Sequence, residues 1–106
     1  MEVPSLTRTF TAMVTRGGKV TIPKSLREIL HIEPGDTVTM FMLSHIRANG
    51  RVIDLSNYPK ASRTFSKTVL HGYKVALPYP LKRLFKIDEG DYLTLVLLHV
   101  ERGGMQ

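Results

Sequence analysis

Apolar and polar residues alternate in "TFTAMV", which sets Phe10, Ala12 and Val14 on one face, and "KVTI" turns Val20 and Ile22 to the same side. Gly17-Gly18 lies between these two strand-like stretches as a tight turn, so the pair reads as a hairpin. Pro23 removes a backbone donor and stops the ladder. The period then changes: Leu26, Ile29 and Leu30 fall at helical spacing and predict a helix of about two turns with one apolar face. "EPGD" closes it in a turn where Gly35 can take a positive φ. "TVTMFML" begins by alternating but becomes apolar on both faces, which predicts a strand covered on both sides. Asn49-Gly50 predicts another hairpin turn, leading into a fourth strand, "RVIDL". Residues 56–62, "SNYPKAS", are rich in turn formers and read as a linker.

The same grammar then repeats. Sliding the sequence by 55 positions aligns residues 8–44 with 63–99 without a gap, and 14 of those 37 positions are identical. The matches include Phe10/Phe65, Lys19/Lys74, Pro23/Pro78, Gly35/Gly90 and Asp36/Asp91, so they mark turns as well as apolar positions. Leu81, Leu84 and Phe85 mirror the first helix, with Pro80 in its first turn, where a missing N–H costs nothing. "YLTLVLL" mirrors the two-faced strand, whereas "ERGGMQ" offers no counterpart to the fourth strand. The organisation is therefore a first repeat at 1–55, a linker at 56–62 and a second repeat at 63–106. A repeat of about 50 residues would bury only roughly 60% of its unfolded surface, so the two are expected to complete one core about a pseudo-twofold axis, as a symmetric dimer would.

Charge narrows the partner. Fifteen Lys and Arg against nine Asp and Glu leave a net charge of +6 over 106 residues, which suits a polyanion such as nucleic acid or an anionic membrane surface, and equally a merely solvated basic surface. The chain has no cysteine, which excludes disulfides, thiolate metal sites and cysteine nucleophiles. The opening "MEVPSLTRTF" lacks a basic stretch followed by an apolar core, and no apolar run approaches a membrane span, so a soluble cytoplasmic protein is expected.

"GKVTIPKSLREILHIEPGDTV" resembles the signature of the SpoVT/AbrB family of DNA-binding proteins, and "GYKVALPYPLKRLFKIDEGDYL" resembles it more loosely. The second stretch departs at Ala76, at Tyr79-Pro80 and at Lys82-Arg83. The resemblance implies a mainly β fold with short helices, a swapped-hairpin barrel that is normally an interleaved homodimer. Here both copies lie on one chain, which implies an intrachain pseudo-dimer that binds duplex DNA near the hairpin turns and short helices.

Arg16 and Lys19 flank the first Gly-Gly turn, and Lys24 and Arg27 open the helix whose other face is apolar. The corresponding second group is Lys74, Lys82 and Arg83, aided by His71 and Lys67. A hairpin or short helix can enter the major groove, about 12 Å wide; Arg suits forked contacts to guanine or phosphate and Lys acts as a point charge. For any one of these seven cations a solvated role is as good a reading, but their recurrence at equivalent places favours binding, and the unequal sets predict unlike half-sites. Arg47, Arg51 and Lys60 read as ordinary surface charges, Tyr73 as packing on its own hairpin ahead of stacking on a sugar or base edge, and Gly17, Gly72, Pro23 and Pro78 as architectural. Asp36 and Asp91 read as turn caps. His31, His45, His71 and His99 have no metal-ligand spacing, and no nucleophile, base and orienter group together. No cofactor, metal or catalysis is expected.

Double-stranded DNA is thus the expected partner. An antitoxin that binds a toxin protein is the alternative, disfavoured because the sequence ends soon after "TLVLL". One chain can close its own barrel as a monomer, or a second copy can cover an edge left by the absent fourth strand, giving a homodimer of pseudo-dimers.

Overall fold

The structure, a computed structural model, describes residues 8–103. The N-terminal segment examined for a leader lies largely outside them, as does the end of the tail. The first repeat forms β1 (Thr9–Met13), β2 (Lys19–Thr21), α1 (Lys24–Leu30) and β3 (Thr37–Ile46). The second forms β4 (Thr64–Thr68), β5 (Lys74–Ala76), α2 (Tyr79–Phe85) and β6 (Tyr92–Glu101), each element 55 residues after its counterpart. The result is a mainly β domain with an open four-stranded antiparallel sheet, ordered β1-β6-β3-β4, and a two-stranded ribbon of β2 and β5.

Every ladder joins one repeat to the other. Phe10 of β1 faces Leu95 of β6, and its equivalent Phe65 of β4 faces Met40 of β3. The predicted hairpin between "TFTAMV" and "KVTI" is therefore corrected. Only its tip closes on itself, with Thr15 N–H donating to the Lys19 carbonyl at 2.8 Å, before β1 departs to β6 and β2 to β5. The physical reason lies in the ten-residue strands β3 and β6, whose outer edges would carry unpaired backbone groups if each first strand stayed in its own hairpin. The exchange pairs those edges.

Val38, Met40 and Met42 of β3 and Leu93, Leu95 and Leu97 of β6 are fully buried and form the centre of the core. The expectation that these strands are covered on both faces is also corrected: Leu43 and Leu98 are exposed on the far side. The register skips from Met42↔Leu95 to Ser44↔Thr94, and from Thr39↔His99 to Met40↔Leu97, so both leucines are repeat-equivalent bulge residues. A bulge interrupts the alternation, which is why the apolar run reads as two-faced. In the helices, Leu26, Leu81 and Phe85 are buried, while Ile29 and Leu84 are exposed. His31 and Lys86 adopt left-handed conformations (φ 55° and 53°) that end the helices and turn Ile32 and Ile87 inward in their place. Gly50 makes the expected turn, but "RVIDL" forms only the Ile46–Val52 bridge instead of a fourth strand, and Val52 is exposed. From the linker, Tyr58 packs edge-on against Phe85, with ring centres 4.7 Å apart.

The repeat-equivalent aspartates cap their turns as expected, Asp36 accepting from Glu33 N–H at 2.9 Å and Asp91 from Asp88 N–H at 3.0 Å. Both carboxylates are buried and also clamp the other repeat. Asp36 accepts from Gly103 N–H at 2.7 Å and pairs with Arg102 at 3.1 Å; Asp91 accepts from Ala48 N–H at 3.1 Å and meets Arg47 at 3.4 Å. His45, fully buried, adds a 2.8 Å bond to Asp91. Arg47 is thus part of a clamp, which corrects its reading as an ordinary surface charge. Burial pushes the Asp36 carboxyl up, but the N–H groups of Glu33 and Gly103 and the Arg102 guanidinium hold it below the ordinary 3.8. Burial likewise opposes ionisation of Asp91, and the Asp88 N–H, His45 and the Ala48 N–H hold it below that value.

Asp91→Ala strands a buried histidine and should cost about 3–5 kcal/mol in urea unfolding, whereas Asp36→Ala leaves Arg102 partly in water and should cost about 1–3 kcal/mol. Because both folded carboxyls titrate below their unfolded value of 3.8, their stabilisation is complete above it and is lost as pH falls below it. Urea midpoints should hold from about pH 7 to about pH 5, fall steeply below about pH 4, and fall less steeply in a double Asp-to-Asn variant.

Candidate nucleic-acid interface

Strand alternation sets the outer surface of the ribbon. In β2 and β5, Lys19 faces Ala76, Val20 faces Val75 and Thr21 faces Lys74. Val20 and Val75 are fully buried, so the flanking Lys19, Thr21, Lys74 and Ala76 stand on the opposite face. Lys19 and Lys74 are repeat equivalents and occupy diagonal corners about the axis between the two valines.

The hairpin tips then cross over. Leu77 N–H donates to the Gly18 carbonyl at 2.9 Å, and Ile22 N–H to the Tyr73 carbonyl at 3.0 Å, fixing each tip on the other repeat. Gly18 and Tyr73 are equivalent positions and both are left-handed, at φ 73° and 61°. Onto each lies the helix cation of the opposite repeat. The Arg27 guanidinium sits 4.0 Å from the centre of the Tyr73 ring, and Lys82 runs over Gly18 so closely that a Cβ there would come within 2.5 Å of its Nζ.

This crossing regroups the predicted site residues. Lys82 lies on the first tip, which carries Arg16 and Lys19, and is followed in the chain by Arg83; Arg27 lies on the second tip, which carries His71 and Lys74, on a helix that opens with Lys24. The expected cluster of four cations from the first repeat alone is thus divided between the two ends, because each tip docks on the partner repeat's helix. Arg16, Lys24, Lys74 and Arg83 are exposed, and Lys19, Arg27 and Lys82 are half-buried. Lys24 lies 3.9 Å from Glu28 with both side chains in solvent, a pair of little energetic weight. Lys67 lines a shallow groove with Ala76. Lys60 and Arg63 cover Phe41 at 5.2 and 4.8 Å. Tyr73 packs against the core and also serves as platform for the other repeat's arginine.

Arg102 escaped notice in the sequence although the signal was present: continuing the 55-residue alignment to Arg47/Arg102 adds another identical pair, and these are the two clamps on Asp91 and Asp36. Among the described residues no cluster of three His, Cys, Asp or Glu could hold a metal ion, and no helix is long and apolar enough to cross a membrane.

No family model and no curated protein matches the chain. Among solved structures it is similar to PHS018 from Pyrococcus horikoshii, known from its solution structure. The match has a TM-score of 0.68 and 23% identity, and covers 99% of this chain and 100% of that one. The likeness is one of fold and extends over both repeats.

The equivalent positions 18 and 73 should both be sensitive to substitution, for different reasons. Gly18→Ala forces an L side chain into a left-handed conformation and against Lys82, and should cost about 1–2 kcal/mol in urea unfolding. In Tyr73→Gly, backbone relief of about 1 kcal/mol only partly offsets the lost cation–π contact and the lost packing of the half-buried ring against the core, so urea unfolding should show a loss of about 1–2 kcal/mol.

Proposed function

We propose that this protein is a duplex-DNA-binding regulator of the SpoVT/AbrB type, whose two repeats form one swapped-hairpin barrel as an intrachain pseudo-dimer. The exchange of β1 and β4 between repeats supports the barrel reading. The observation that carries the binding function is the β2-β5 ribbon, with Lys19 and Lys74 on its outer face and a tip-plus-helix cation group at each end. A two-stranded ribbon fits the major groove, and basic groups at both ends meet the phosphates that border it. The protein acts by occupying DNA and performs no chemistry of its own.

Fluorescence anisotropy with a labelled duplex over a salt series tests this reading. If the seven cations Arg16, Lys19, Lys24, Arg27, Lys74, Lys82 and Arg83 meet phosphates, log K should fall against log salt with a slope of about −6, and neutralising half of them should roughly halve it. Absence of binding to any duplex at low salt would end the proposal.

A further inference from the structure

The ends of the ribbon share one backbone geometry but carry different side chains. At the first end the tip carries Arg16 and Lys19 and the helix lying on it carries Lys82 and Arg83, and among the described residues none of the four pairs with a carboxylate. At the second, His71 replaces Arg16 and Glu28 replaces Arg83, leaving Lys24, Arg27 and Lys74 beside a carboxylate. The helix cations differ most. Lys82 is a flexible point charge lying over a glycine, whereas Arg27 is stacked on a tyrosine ring. Its Nε is buried without a hydrogen-bond partner, and among the described residues no carboxylate pairs with it. Stacking fixes the guanidinium plane before DNA arrives and leaves its terminal N–H groups as the donors for a ligand.

We propose that the protein binds duplex DNA in a single orientation: the end built from the second tip and α1 reads a guanine through Arg27 held on Tyr73, and the end built from the first tip and α2 grips phosphates. This rests on the duplex-DNA reading above and moves Arg27 from the phosphate set to a base, which leaves six phosphate-facing cations and a salt slope of about −5. Two parallel N–H donors in a fixed plane match O6 and N7 of guanine in the major groove, a contact that a lysine cannot reproduce. Glu28 weakens phosphate attraction at that end, so base contact there contributes selectivity while the end with four unpaired cations contributes affinity.

Selection of the intact protein against a random duplex pool should return a non-palindromic site with an essential guanine in one half. Arg27→Lys and Tyr73→Leu should each remove most of the preference for that site over the same duplex with the guanine changed to adenine, a loss of roughly 5- to 150-fold in discrimination. Lys82→Met should weaken both duplexes equally and make the salt slope shallower by about 1. Circular dichroism establishes that each variant is folded, and Arg27→Lys, which keeps the charge and a long side chain at this half-buried position, suffices if Tyr73→Leu is not. A palindromic site, binding without any base preference, or equal effects of Arg27→Lys and Lys82→Met on both duplexes would overturn this inference alone. Failure of the unaltered protein to bind any duplex at low salt would instead remove the DNA reading beneath it.

Discussion

Backbone hydrogen bonds between the repeats are the constraint on which this molecule depends. The long strands β3 and β6 pair with each other, and each still has an outer edge that its own repeat does not fill. Strand exchange fills both, with β1 on β6 and β4 on β3. Neither repeat is a folding unit by itself, because its first strand, second strand and long strand all take their ladders from the other half. The buried carboxylates reinforce the same dependence. Asp36 and Asp91 cap turns locally while receiving an arginine and a backbone N–H from the far end of the opposite long strand.

That exchange also decides the chemistry of the basic surface. Because each hairpin tip is hydrogen-bonded to the other repeat, it lies beside the other repeat's helix, and residues distant in sequence become neighbours: Gly18 with Lys82, and Tyr73 with Arg27. A homodimer with two identical chains would make both ends of its ribbon alike. Two repeats on one chain are free to differ, and here they do so at the positions that touch across the axis. Arg/Lys, Gly/Tyr and Glu/Arg exchanges preserve the backbone frame while changing how rigidly each helix cation is held and the net charge at each end.

Much of the fold was legible along the chain. Prolines, glycines and changes of period located the helices and turns, and the 55-residue offset predicted the pseudo-twofold arrangement that the ladders display. What misled was local continuity. The stretches flanking Gly17-Gly18 satisfy every local rule for a hairpin, yet only the tip closes, since local pattern contains no information about which unpaired edge elsewhere competes for a strand. Leu43 and Leu98 likewise look like core positions and stand on the outside, because a bulge is a property of two strands in register. Arg47 looked solvated because its partner, Asp91, lies in the other repeat.

The amino-acid sequence by itself determined the two repeats, their turns, their buried strand faces and the presence of equivalent cations, all of which follow from side-chain period, backbone freedom and charge within short windows. Only the tertiary structure decided which repeat each strand joins, and hence which cation lies on which tip, because that choice is made by satisfying backbone groups across the whole molecule.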